Sequence, residues 1–224
     1  MNLEDLKAEA AKRAVEYVKS GMRVGLGTGS TARFAILEIA RKINAGELEN
    51  ITGVATSIES AQLARENGIA VEDLDTRQLD VAIDGADEIA PSLDLIKGLG
   101  AALLREKLVE LQAKEFIVVA DYTKLVSRLG EKVSLPVEIV RFGFETTIER
   151  LARFGEPVVR RKAGEALVTD NGNYIADLRF SSDDAARLAH DLKQITGVVE
   201  TGFFIGMATR AVVAFETEIK EFTR

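Results

Sequence analysis

The stretch Met22-Arg-Val-Gly-Leu-Gly-Thr-Gly-Ser-Thr-Ala-Arg-Phe-Ala-Ile-Leu-Glu-Ile-Ala-Arg-Lys-Ile43 runs from a β-prone segment through a glycine-rich turn into a helical pattern. Met22–Gly27 reads as a short strand, and residues 30–43 as a helix with Phe34, Leu37 and Ile39 to Ile43 toward one side. Glycines let the backbone leave a strand tightly and bring N–H groups close to a ligand. Ser30 or Thr31 can begin the helix, whose positive end favours an anion. The loop lacks the Gly-Lys-Ser/Thr ending of a Walker A motif, and Ser30 stands where a dinucleotide fingerprint has its third glycine. A nucleotide-binding reading also wants an acidic residue after the next strand, where this chain has Ala55-Thr56-Ser57. Taken alone, the turn is compatible with a strand–helix junction that holds no ligand.

On either side the alternation continues. Residues 3–20 read as an amphipathic helix, Ile51–Ala55 as a strand and Ser57–Asn67 as a helix. Ala70–Leu74 and Val81–Asp84 read as strands, Ala101–Ala113 as a helix and Phe116–Ala120 as a β-branched strand. Strands alternating with helices predict a Rossmann-like α/β fold, a mostly parallel sheet flanked by helices. Beyond Asp121 the order changes. Leu135–Val140 and Val158–Lys162 read as strands, 144–154 and 183–195 as helices, and two β-prone runs flank Asp170-Asn171-Gly172-Asn173 as a hairpin. Val198–Ile205 and Arg210–Phe215 are apolar enough for strands. Residues 130–203 are therefore expected to form a smaller ferredoxin-like α+β domain, inserted into a catalytic domain of residues 1–129 and 204–224. The apolar run Phe203-Phe204-Ile205 suits an oligomer interface or a core equally well.

Composition narrows the chemistry. The 224 residues carry 29 Lys and Arg against 36 Asp and Glu, a net charge of −7, which argues against a nucleic-acid partner. Cysteine is absent and His190 is the only histidine, so thiolate catalysis and multi-histidine metal sites are excluded and a Ser-His-Asp triad is disfavoured. No targeting segment and no run of about 18 apolar residues is present, which predicts a cytoplasmic protein with no membrane partner.

Three further stretches carry polar chemistry at expected strand ends. In Asp80-Val-Ala-Ile-Asp84-Gly85-Ala86-Asp87-Glu88, a buried-looking strand ends in carboxylates around a glycine turn. Lys97-Gly98-Leu99-Gly100 opens a helix that bears Glu106, and Asp121-Tyr-Thr-Lys124 follows the strand Phe116–Ala120. Each alone is weak, since Asp-Gly turns and surface glutamates are common. Parallel strands would bring all four loops to one edge. Ser30, Thr31, Asp84, Asp87, Lys97, Glu106 and Lys124 would then surround one cleft suited to a phosphorylated polyol: amides and lysine for phosphate, aspartates for hydroxyls, one carboxylate to move a proton.

GLGTGSTA, DGADEI, KGLGAALLREK and ADYTKLV, in this order and spacing, closely resemble type A ribose-5-phosphate isomerases, and the likeness continues through LPVEIV, VTDNGNYIADLRF and TGFFIGMA. The resemblance covers nearly the whole chain. It implies cofactor-free interconversion of D-ribose 5-phosphate and D-ribulose 5-phosphate. No metal is required if Lys97 and the loop amides suffice as donors, and magnesium held by carboxylates is the open alternative. By resemblance Glu106 is the general base, and Asp84, Asp87 and Lys97 line the sugar end; Asp84 is the candidate for assisting ring opening, and Lys97 is a suitable catalytic donor to the enediolate oxygen. Thr28, Gly29, Ser30, Thr31 and Lys124 match ligand-binding positions assigned mainly to phosphate. Gly85, Ala86, Gly98, Leu99 and Gly100 complete the substrate-binding set. Leu99 is a departure, standing where the family commonly has glycine, and a side chain there is expected to narrow the loop. The family forms dimers or tetramers, which implies a homo-oligomer. A sugar-phosphate sensor without catalysis remains the alternative, although no helix-turn-helix or basic arm is left over to serve one.

Overall fold

A computed structural model describes residues 2–224; Met1, where the expected catalytic domain begins, lies outside the described residues. The chain divides into two compact units. The first contains the chain up to Ala86, Arg105–Lys124 and Met207–Arg224, and the second Asp87–Leu104 and Leu125–Gly206. Residues 87–104 thus group with the smaller unit, ahead of the expected boundary at 130.

Numbered along the chain, the first unit holds β1 (Arg23–Leu26), β2 (Thr52–Ala55), β3 (Ala70–Val71), β4 (Leu79–Gly85), β7 (Ala113–Asp121), β15 (Arg210–Ala214) and β16 (Ile219–Thr223). They form one sheet in the order β16-β15-β7-β4-β1-β2-β3. Every pairing is parallel except β15 with β16. From β3 to β15 this is the doubly wound order, and the sequence reverses direction between β1 and β4. Helices α1 (Leu3–Val15) and α2 (Ser30–Asn44) bury Leu6, Ala10, Ile36 and Ile39 against Val24, Leu26, Ile83 and Val119. On the opposite face, Val109 of α4 (Leu103–Leu111) packs with Val54 and Leu79. β1 is buried at all four positions, as a strand covered on both faces must be. A Cβ on Gly25 would lie 2.8 Å from Ala82 Cβ and 2.9 Å from Val109 Cγ1, so this glycine sets how closely β4 and α4 approach β1. Helix α3 (Ile58–Glu66) starts at Ser57, whose side chain accepts the Ser60 N–H.

Several elements are shorter than their sequence patterns. The helix expected over 3–20 stops at Val15, where Tyr17 and Val18 make tight three-residue bonds to Ala14 and Val15 and the Tyr17 hydroxyl turns to Glu221 at 2.6 Å. The helix expected from Ala101 begins at Leu103, because Ala101 takes a left-handed conformation (φ 59°) that a helix cannot include. At its other end, Ala113 already belongs to β7.

The second unit contains β8 (Leu135–Ile139), α5 (Phe144–Leu151), β9 (Gly155–Val159), β12 (Tyr174–Phe180), α6 (Ala185–Lys193) and β13 (Val198–Thr201). The sheet order is β13-β8-β12-β9, antiparallel throughout, with both helices feeding one apolar core. This is the β-α-β-β-α-β arrangement anticipated from the sequence. The hairpin around residues 170–173 is narrower than expected. Its first run contributes only a single bridge from Val168 to Tyr174, and β12 takes β8 and β9 as neighbours. The residues just before that run form β11 (Glu165–Ala166), paired with β10 (Arg161–Lys162). A three-stranded sheet of β5 (Glu88–Ile89), β6 (Leu95–Ile96) and β14 (Phe203–Phe204) was not foreseen. It settles the apolar run at 203–205: Phe203 and Phe204 are buried core. No helix among the described residues is long and apolar enough to cross a membrane.

Candidate active site

In the first unit, the loops that follow β1 and β4 leave the carboxyl ends of the two strands at which the sheet order reverses, the usual ligand position in an open α/β sheet. Gly27 follows β1 directly and donates its N–H to the Ile83 carbonyl at 3.0 Å. A Cβ on Gly27 would lie 2.6 Å from Asp84 Cα, so only glycine fits this crossing. The next amide, Thr28 N–H, donates to Asp84 Oδ1 at 3.0 Å, and Gly85 N–H donates to the same oxygen at 2.6 Å. Asp84, 1% exposed, is thereby locked to the glycine loop.

Gly29 (φ 100°) precedes α2 without a side-chain cap, and open space surrounds it. The first N–H groups of α2 therefore have no intrahelical acceptor and no capping side chain, and they carry the positive end of the helix dipole. Ser30 is exposed and Thr31 buried. Beside this helix start lies a pocket of about 300 Å³, lined by Gly29, Ser30, Arg33, Glu59, Ser60 and residues of the α2 and α3 faces.

Thr28 is braced from behind. Its Oγ1 lies 2.6 Å from Thr56 Oγ1 and 3.2 Å from Ser60 Oγ. Those two hydroxyls donate to the carbonyls of Leu26 and Gly27. Neither Thr56 nor Ser60 stands in a chemical motif of the sequence, where Ala55-Thr56-Ser57 reads as a strand end that lacks an acidic residue and passes into the helix begun at Ser57. A run of hydroxyl residues after a strand, opening a helix, was the available signal.

Glu106 lies in the first turn of α4 and is 3% exposed. It sits three residues before Val109, on the same helix face. Val109 packs over Gly25 of β1 and against Leu79 of β4. Because α4 is the crossover between parallel strands β4 and β7, it runs against them. One turn toward its start is therefore a step toward the strand ends where Asp84 and the glycine loop lie. Lys124 closes a short turn after β7, in which Asp121 accepts the Thr123 N–H at 3.0 Å.

The second unit carries the other expected residues. Asp87 Oδ2 accepts the Leu99 N–H at 2.9 Å. Lys97 is 2% exposed; its N–H donates to the Gly202 carbonyl at 2.9 Å, and its ammonium lies 5.4 Å from the centre of the Phe204 ring. Gly98 (φ 106°) needs its missing side chain, since a Cβ would meet Leu103 Cδ2 at 2.8 Å. Leu99 is outside the left-handed region, and its side chain is 47% exposed. Glu88, grouped with Asp84 and Asp87 by the sequence, is wholly buried and accepts the N–H groups of Gly130, Lys132 and Val133 at 2.6, 2.5 and 2.9 Å. It pins a loop.

The family model of ribose 5-phosphate isomerase A (phosphoriboisomerase A) matches residues 52–218. The chain belongs to this family. Among type A isomerases, the enzyme named ribose-5-phosphate isomerase A from Deinococcus radiodurans is 58% identical, with all of both chains covered. A solved D-ribose-5-phosphate isomerase in complex with phospho-erythronic acid superposes with a TM-score of 0.97 at 39% identity, covering 100% of each chain. The ribose 5-phosphate isomerase of Plasmodium falciparum gives 0.96 at 36% identity over 99% of each chain. The α/β fold expected from the alternation of strands and helices and the family expected from the four motifs are thus both established.

Proposed function

We propose that this isomerase interconverts D-ribose 5-phosphate and D-ribulose 5-phosphate through an enediolate, with Glu106 as the base that takes the C2 proton of the open-chain aldose and returns it to C1. The observation that carries the assignment is the burial of Glu106 in the first turn of α4, one turn above Val109 on the face that covers β1 and β4. A positioned carboxylate base contributes roughly 10²–10⁴-fold. The nascent enediolate oxygen needs donors, and one well-placed donor is worth about 3–4 kcal/mol of barrier. Lys97 and the amides of the Gly98–Gly100 loop are assigned that role. Asp84, held by two amides, accepts from a sugar hydroxyl and assists ring opening, and Asp87 completes the sugar end. The free N–H groups of Ser30 and Thr31, with Gly29 and Lys124, bind the phosphate, and Thr28 holds their loop in place. Gly85, Ala86 and Leu99 supply main-chain surface. The reading includes a cytoplasmic homodimer or homotetramer, which light scattering on the purified protein would resolve into one or the other.

Glu106→Gln keeps size and fold while removing the base. We expect it to bind phospho-erythronic acid as the unaltered protein does and to lose at least about 10²-fold in kcat in a coupled ribose 5-phosphate assay. Retention of more than a tenth of the rate would exclude Glu106 as the base. Uptake of the sugar phosphate with no turnover in the unaltered protein would favour the sensor alternative.

A further inference from the structure

The loop Lys97–Ala101 is held from outside by a residue that none of the chemical motifs contains. Arg160 follows β9 directly, and its side chain is 13% exposed. Its Nη1 donates to the carbonyls of both Gly98 and Leu99, each at 2.9 Å. Its Nε donates to Asp177 Oδ2 at 2.9 Å, and its Nη2 donates to Asp177 Oδ1. Asp177 sits inside β12, paired with Val158 of β9 and Pro136 of β8, so the carboxylate that orients Arg160 is itself fixed by the sheet. Four donor interactions occupy the guanidinium fork, and Asp177 offsets its charge. Little is left to bind a phosphate directly.

The effect on the loop follows from peptide planarity. In a trans peptide the carbonyl and the following N–H point in opposite directions. The Gly98–Leu99 peptide is gripped at both ends: its carbonyl by Arg160, its N–H by Asp87 at 2.9 Å. The Leu99–Gly100 peptide has its carbonyl on Arg160, so the Gly100 N–H faces away from the guanidinium. The turn is closed by Ala101 N–H donating to the Gly98 carbonyl at 2.9 Å. Arg160 is therefore the group that sets where the Gly100 amide points.

We infer that Arg160, oriented by Asp177, is a positioning residue for the isomerisation. It aims the Gly100 N–H as a donor for the oxygen that becomes negative in the enediolate. This rests on the reading above, in which the Lys97–Gly100 loop belongs to the substrate site. A lysine cannot replace it, because one ammonium cannot span two carbonyls and pair in-plane with a carboxylate.

The test compares Arg160→Lys, Asp177→Asn, the double variant and Lys97→Ala, each assayed well below the lowest melting temperature of the set. A donor used mainly in the transition state moves kcat rather than KM. Arg160→Lys and Asp177→Asn are expected to lower kcat about tenfold or more. KM for ribose 5-phosphate should stay within about threefold of the unaltered protein. Affinity for phospho-erythronic acid should fall with kcat, and the double variant should be no worse than Arg160→Lys alone. Unchanged kcat in Arg160→Lys, or a raised KM with kcat intact, would overturn the inference. The reading it rests on fails separately: Lys97→Ala with ordinary kinetics would remove the loop from the site, whereas an inactive Lys97→Ala beside a fully active Arg160→Lys would remove only the clamp.

Discussion

Gly27 is the residue at which fold and chemistry meet most closely. No side chain fits between its Cα and Asp84, and the next amide fixes the Asp84 carboxylate. Gly27→Ala should push β1 and β4 apart at their carboxyl ends. We expect a loss of about 1–3 kcal/mol in urea unfolding, typical of overpacking, and a loss of turnover larger than that of stability. A variant with unaltered turnover would show that the exact setting of Asp84 is unimportant. Individual residues were unevenly legible in the sequence. The four motifs named Asp84, Lys97 and Glu106 because carboxylates and lysines beside glycine turns are chemically unusual. Glu88 looked like one of them and is a loop pin, since sequence does not tell which way a carboxylate faces. Arg160 gave no signal, because it acts on carbonyls more than fifty residues away along the chain.

At the level of elements, periodicity found most helices and strands but misplaced their ends. The start of α4 was misread by two residues because a left-handed alanine looks like any other helix former. The short strands β5 and β6 leave no sequence pattern because two-residue strands have no period to read, and β14 is merged with β13 in the single strand expected over Val198–Ile205. They are organised partly by Glu88. Glu88→Gln places an amide where a carboxylate accepts three backbone N–H groups. A buried donor left without its acceptor costs about 1–3 kcal/mol. We expect that order of destabilisation, with hydrogen exchange accelerating at residues 130–133. Unchanged exchange there would show that Glu88 does not hold the loop.

For the whole molecule, the doubly wound sheet and the inserted α+β unit were readable from the order of elements, and the edge strand β16 was not. That strand is tied to α1 and β15 through Glu221, which accepts from the Tyr17 hydroxyl, Arg13 Nε and Arg210 Nη1 at 2.6, 2.7 and 2.7 Å. These partners, the tyrosine hydrogen bond first, hold the Glu221 carboxyl below its usual range. A depressed carboxylate adds stability above the unfolded-state value of about 4.3, and that stability is lost as pH falls through the folded-state value. Glu221→Gln should therefore be less stable than the unaltered protein at neutral pH, and the gap should narrow in acid below about pH 4. Urea midpoints of both proteins across that range check this; a constant gap would deny Glu221 the role.

β7 is paired on one side by β4, and its other edge is met by β15, which the ribosome makes only after the entire second unit. Until Arg210–Ala214 emerges, a nascent chain presents the backbone of Ile117–Asp121 as an open template for any extended segment nearby. Synthesis stalled before residue 210 should thus yield a sticky intermediate that chaperones retain, and that releases once the closing strand is translated.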